Sequence, residues 1–295
     1  MIEFQKLTIV IPSLLSNISE SWIEQVNRFN QHKINVIISI PPNLIKTNKN
    51  INKFDKGILI ISSDKKGQVN QRQYGYKFVK TEYLMHMDDD IFISIKNLKI
   101  LLNQFENLPR KSAIAPRLIM NNENNKELFF KKYINLFLYS EIKPKPGTIS
   151  KSTFDIPPNL PLNSNKLIES VNWIPGGISI IRKEHIINEQ YFNFEGKAYC
   201  EDLIHSKLLK NNGVELFISN KSFYKTELQN YKDLNIKDFI KFIKNDFKAR
   251  NYYRKIIKNP FLPFFIVYCF LIINYFSRKI IINFISLWTT LIKIH

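Results

Sequence analysis

Four short apolar runs, each ending in proline or aspartate, constrain this chain most: "LTIVIP" (Leu7 to Pro12), "NVIISIPP" (Asn35 to Pro42), "GILIISSD" (Gly57 to Asp64) and "YLMHMDDD" (Tyr83 to Asp90). Between the first two lies "SESWIEQVNRFNQ", whose apolar Trp22, Ile23, Val26 and Phe29 recur at helical spacing. Between the last two, the polar stretch "KKGQVNQRQYGYKFVKTE" can wind into a second helix. Continuous apolar strands alternating with helices predict an α/β fold, a Rossmann-like and mostly parallel sheet flanked by helices, because right-handed crossovers place helices on both faces. Ligands bind such sheets at the carboxyl ends of the strands. Pro12, Ser39, Asp64 and the trio Asp88, Asp89 and Asp90 all stand at those ends, so they are expected to converge on one crevice.

Three consecutive carboxylates at a strand end repel one another unless a cation compensates them. A hard divalent ion such as Mg²⁺ or Mn²⁺ prefers oxygen ligands and can bridge to a diphosphate. The alternative is a solvated turn or a cap for the next helix, a common use of single aspartates. His86, set between Met85 and Met87, reads as a packed core histidine. The formal charge of +18 favours an anionic partner without choosing among nucleic acid, a phosphorylated small molecule and an acidic membrane. Cys200 and Cys269 are far apart, which suits a reducing compartment, and the first residues do not resemble a secretory signal. A cytoplasmic core is expected.

A second constellation follows. In "VNWIPGGISIIRKEH", Gly176 and Gly177 allow close backbone approach to a ligand or mark a bend, and Trp173 is either a platform for a sugar ring or a core aromatic. "AYCEDLIHSKLLKNNG" places Glu201 and Asp202 at the head of an amphipathic helix that Gly213 closes. Acids in a first turn also answer the helix dipole alone. Between the two constellations, Lys143 to Ser164 is rich in Pro, Ser and Asn and reads as a long loop.

The order "TIVIP", "SSDKKGQVNQRQYGYKFVKTEYLMHMDDDI", "WIPGGISIIRKE", "YCEDLIHSKLLKNNG" resembles the family 2 glycosyltransferases, inverting GT-A enzymes that use nucleotide-activated sugars. The resemblance implies that Asp88 and Asp90 are the outer carboxylates of an Asp-x-Asp motif, with Asp90 the direct metal ligand and Asp89 at the variable position. It implies that Asp64 contacts the nucleotide base, and that Gln68, Arg72 and Gln73 lie on the stretch that faces the nucleotide, with Pro12 and Ser39 on the same donor side. Arg72 would meet phosphate or hold the metal-site carboxylates; from spacing alone it is equally a solvated helix arginine. Trp173, Gly176 and Gly177 would line the acceptor side. Asp202 would be the base and Glu201 would orient the acceptor, since inverting transfer needs a carboxylate to take the proton of the attacking hydroxyl. One departure is that the second strand ends in "SIPPN" where the family has an acid, so a uridine nucleotide is favoured only by analogy.

The C-terminal region changes character. From Lys237 to Lys258 the net charge is +6, interleaved with Phe239, Ile240, Ile243 and Phe247 at helical spacing. Then come "FLPFFIVYCFLIINYF" and, after "SRK", "IIINFISLWTTLI". Each run falls short of the ~20 apolar residues of a full span. Beside a basic helix they suggest attachment to an anionic membrane at the cytoplasmic face of a bacterial inner membrane, as an interfacial helix pair, which Arg278 and Lys279 favour, or as a short hairpin; the alternative to both is a pair of buried helices. "KARNYYRK" is similar to the Arg-Asn that often follows the catalytic domain in this family, and the resemblance implies that Arg250 reaches the active site.

The expected organisation is a catalytic domain over 1–230, with a nucleotide-sugar-binding half (1–110) and an acceptor-binding half (111–230), followed by membrane-associating helices over 231–295. The expected activity is metal-dependent inverting transfer of a hexose-type sugar to a glycan or lipid-linked glycan, in bacterial surface-glycan synthesis, with no nucleic-acid partner. The alternatives are a nucleotidyltransferase or phosphoester hydrolase sharing the metal aspartates, or a non-catalytic basic peripheral protein.

Overall fold

The computed structural model describes residues 4–16, 18–45, 48–119, 145–158, 165–189, 191–194, 197–226 and 234–294, with backbone only at 278 and from 280 onward. By compactness the chain divides into two units, the second formed by 149–154 with the C-terminal helices and the first by the other described residues.

The first unit is built on a nine-stranded sheet. Strands β1 (Leu7–Pro12), β2 (Asn35–Ile40), β3 (Leu59–Ser62) and β4 (Tyr83–Met87) run parallel in the order β3-β2-β1-β4. Helix α1 (Glu20–Gln31) crosses from β1 to β2, and Trp22, Ile23, Val26 and Phe29 are its buried residues. The Ser19 side chain caps it by accepting from Trp22 N–H. Each of those four side chains stabilises the unit by roughly 1.5–3 kcal/mol. Helix α2 (Gln68–Tyr76) leads into β4; it rides close on β1 because Gly75 has no side chain, and a Cβ there would collide with Val10.

Beyond β4 the sheet departs from the mostly parallel expectation. After β5 (Ile91–Phe92), α3 (Ile95–Glu106), β6 (Ser112–Leu118) and β7 (Ile168–Ser170), strand β8 (Ile178–Arg182) inserts antiparallel between β4 and β6. The sheet is therefore mixed. Helix α4 (Glu201–Asn211) and the long β9 (Glu215–Thr226) complete it, with β9 parallel to β6 and antiparallel to β7 and β5. The register between β6 and β9 shifts at Pro116, which lacks the N–H that a ladder needs. β9 thereby bends onward to pair Thr226 with Ile91, immediately after the acidic trio.

Within the loop expected over Lys143 to Ser164, residues 143–144 and 159–164 lie outside the described residues. In the first unit's part of that loop, Thr148 and Ile156 are joined by a backbone hydrogen bond, and Gly147 supplies a left-handed turn (φ 72°).

The second unit contains α5 (Ile236–Ile256) and α6 (Phe261–Ile294). The two C-terminal apolar runs, expected as a helix pair, form one continuous helix because "SRK" carries no glycine or proline to break it. Among the described residues no helix is long and apolar enough to cross a membrane. Arg250, raised as a possible active-site group, is engaged inside this unit: it pairs with Asp246, donates to Thr153 O and lies over the Phe154 ring.

Candidate active site

The strand-end geometry is set first by a residue the sequence reading passed over. Gln71, buried on α2, donates to Ser39 O at 2.8 Å and to Ser13 O at 3.0 Å, and Ser13 N–H donates to Ser39 O. This amide locks the ends of β1 and β2 together beneath α2. Its signal lay in the helical spacing, one turn from Gly67 and beside Arg72, in a stretch read as facing the nucleotide. Pro12 is buried at the end of β1, level with Ser39. Ser39 is fully buried, and its Cβ lies 3.7 Å from where a Gly75 side chain would begin, so its side chain packs under α2 and its carbonyl does the bonding. Asp64 is exposed just past β3.

The acidic trio occupies the turn from β4 to β5. Asp88 N–H donates to Gly177 O at 2.8 Å, which joins the trio to the glycine pair before β8. Asp89 accepts from the Ser13 hydroxyl at 2.6 Å, and Asp90, exposed, accepts from Thr226 at 3.1 Å. Gln68 hydrogen-bonds to Asp88. Burial pushes the Asp88 carboxyl up to about 6 against the pull of Arg72, and burial raises Asp89 as well.

Arg72 is buried, 3% exposed, and is the pivot of the site. Its Nη2 donates to Asp88 Oδ1 at 2.8 Å and its Nη1 lies 3.1 Å from Glu201 Oε2. The reading of a solvated arginine is thereby excluded. Burial would lower its pKa, but Glu201 and Asp88 together hold it well above the usual value. Glu201 is buried too. Burial alone would raise its carboxyl; Arg72, then His205 and the Tyr191 hydroxyl, which donates to Oε1 at 2.7 Å, outweigh that and keep it below the usual range. Glu201, expected to orient the acceptor, thus has both carboxylate oxygens engaged by protein groups.

Gly176 makes this packing possible, since a Cβ there would collide with Glu201 Oε2 and press on Asp202. A Cβ on Gly177 would sit 3.1 Å from Asp88 Oδ2. The glycine pair is thus wedged between the two acidic groups. Asp202 is half-buried in the first turn of α4, with Oδ1 accepting from Leu203 N–H. The chain enters that helix through Cys200 in the left-handed region (φ 59°), which turns Glu201 inward. Tyr224 of β9 carries a phenol raised first by burial and then by the charges of Asp88, Asp202 and Asp90, so all three acids act electrostatically on one residue. Tyr224 also lines a cavity of about 330 Å³, together with Phe92, Phe223, Arg28 and Lys225.

Trp173 is buried, 5% exposed, with its indole N–H unpartnered among the described residues. Its ring is enclosed rather than open as a platform. His86 is a core histidine, as its neighbours suggested: it lies between Tyr76 and Ser179, and burial first, then Arg72 and His205, lower its pKa well below the usual value. Tyr191 and Tyr224 join Gln71 as site residues the sequence reading missed, since an isolated tyrosine carries no spacing signal.

Among the described residues no group of three or more His, Cys, Asp or Glu side chains forms a protein cage for a metal. A hard cation here would need oxygens from a ligand or water, the usual manner of Mg²⁺. The donor set fits that role: three carboxylates stand at adjacent positions, and Arg72, the cation beside them, is shared with Glu201.

Comparison with known proteins bears on this arrangement. No curated protein matches the sequence. A crystal structure of GalNAc-T7 with UDP, GalNAc and Mn2+ is similar in fold, with a TM-score of 0.55 at 12% identity, over 85% of this chain and 48% of that one. The chain thus spans about half the length of that structure. Residues 39–167, from the end of β2 through the acidic trio, match the family model described as glycosyl transferase family 2. The chain has a GT-A-like α/β fold and carries, over residues 39–167, the pattern of glycosyl transferase family 2.

Proposed function

We propose that this protein is a metal-dependent inverting glycosyltransferase that moves a sugar from a nucleoside diphosphate to a hydroxyl acceptor. The observation that carries the reading is the Arg72 bridge, which draws a carboxylate of the acidic trio and the acidic pair on α4 into one site. The UDP, GalNAc and Mn2+ in the GalNAc-T7 structure support a nucleotide-sugar donor and a divalent ion. Asp90 and Asp88 would hold the ion, which when bound supplies Lewis-acid stabilisation to the departing diphosphate.

The chain's own groups carry out the rest. Asp202 takes the proton of the acceptor hydroxyl as that oxygen bonds to the anomeric carbon and the bond to the diphosphate oxygen breaks. Glu201, fixed by Arg72 and Tyr191, positions the start of α4 and so the Asp202 carboxylate. Gly176 and Gly177 keep the backbone low enough for the two acidic groups to approach. Assembly of a bacterial surface glycan (capsule, lipopolysaccharide or exopolysaccharide) is the setting suggested by the sequence resemblance, and a uridine nucleotide is the favoured donor. The test is incubation with a panel of nucleotide sugars, acceptors and Mn²⁺ or Mg²⁺, with and without EDTA. Release of nucleoside diphosphate that EDTA abolishes is the expected result; no release across the panel would overturn the reading.

A further inference from the structure

We infer that the outer face of α6 is a lipid-contact surface that lays this helix along an anionic bilayer. The inference goes beyond the transfer reaction and does not depend on it. α6 already has an inner apolar face. Tyr275 stacks on Phe239 of α5 with ring centroids 3.5 Å apart, Phe264 and Tyr268 pack on Phe247, and the Tyr268 hydroxyl donates to Asp246 at 2.5 Å. With the core side satisfied, the solvent side of a surface helix is ordinarily polar. Here it is not.

Phe261, Phe265, Ile272 and Phe276 recur at intervals of four, seven and four, and Leu262 and Ile273 flank them; all six are exposed, Leu262 at 66% and Ile273 at 60%. Such spacing makes one continuous apolar stripe along the helix, of the kind that marks an interaction site.

Charge decides what covers it. The Arg254 guanidinium lies 5.4 Å from the Phe261 ring, and Lys255 and Lys258 are exposed just ahead of the helix. Three residues past Phe276 the Lys279 ammonium lies 5.8 Å from the Tyr275 ring. An apolar stripe with cations beside it suits an interfacial helix, whose aromatic side chains enter the acyl boundary while its cations reach lipid phosphates. A second copy of the chain suits it poorly. Pairing two such stripes brings the cations beside one against those beside the other.

The test is flotation of the full chain with phosphatidylcholine vesicles, with and without phosphatidylglycerol. The wild type is expected to float with the anionic vesicles and to be partly released by salt. The variant Leu262→Asp/Ile273→Asp, changed at exposed positions and checked for an unaltered circular-dichroism melt, should bind them at least about ten-fold more weakly. Lys255→Glu/Lys258→Glu should weaken binding to the anionic vesicles only. The inference is overturned if the wild type floats with neither vesicle, or if the aspartate variant floats as well as the wild type. It is likewise overturned if that variant instead dissolves a dimer seen by sedimentation without lipid.

Discussion

Arg72 shows how much can rest on one side chain. A buried guanidinium shared by two carboxylates is costly to desolvate but far costlier to remove, because its partners would stay buried and uncompensated. Arg72→Met should therefore destabilise the protein by about 3–5 kcal/mol in urea unfolding. Arg72→Lys keeps the charge, yet a single ammonium cannot reproduce two separate guanidinium contacts. It should leave a folded protein with turnover lowered at least about 100-fold. Equal activity in Arg72→Lys would show that charge alone suffices.

Asp88 gives a pH signature at the same scale. Its folded pKa of about 6 exceeds the unfolded value of 3.8, so the folded state holds more protons between them and the group's contribution to stability falls as pH rises through that window. In metal-free protein, the stability of Asp88→Asn relative to wild type should rise between pH 4 and pH 7 by roughly 1–3 kcal/mol. Taking the difference cancels His86 and His205, whose lowered pKa values act in the opposite direction. A flat difference across that range would count against the burial assigned to Asp88.

At the scale of elements, two helix ends show what local sequence does and does not reveal. α4 ends in a Schellman turn, with Gly213 at φ 79° and Val214 N–H donating to Leu209 O, and the glycine announced it. α1 ends in the same turn, with Ile34 N–H donating to Phe29 O, but the left-handed residue is exposed Lys33 at φ 61°. Lys33→Gly should stabilise the protein by about 0.5–1 kcal/mol, read as a higher urea midpoint at unchanged slope. β1, β2 and α1 were legible almost to the residue, because Pro12 and Pro41 stop the strands and Ser19 caps the helix. β8 was not. "ISIIR" is apolar on both faces wherever it sits centrally in a sheet, so its pattern does not say which way it runs. The unbroken α6 was hidden by three polar residues in "SRK", which interrupt hydropathy without interrupting a helix.

For the whole molecule, the candidate site is an assembly of contacts between residues distant in sequence. The trio at 88–90 and the pair at 201–202 were each visible as local clusters of charge, whereas their union through Arg72, Gly176 and Gly177 depends on β8 lying beside β4. Local patterns carried the fold class and the acids; the burial of Glu201, Trp173 and Ser39 is not something one sequence discloses. The account as a whole turns on Asp202 acting as base in a site whose donor side is separate. The most direct measurement compares wild type with Asp202→Asn, recording nucleotide-sugar binding by calorimetry and turnover by nucleoside diphosphate release in the same preparation. The account predicts donor affinity preserved within about three-fold and turnover lowered by roughly 10²–10⁴-fold; turnover close to wild type in the variant would contradict it.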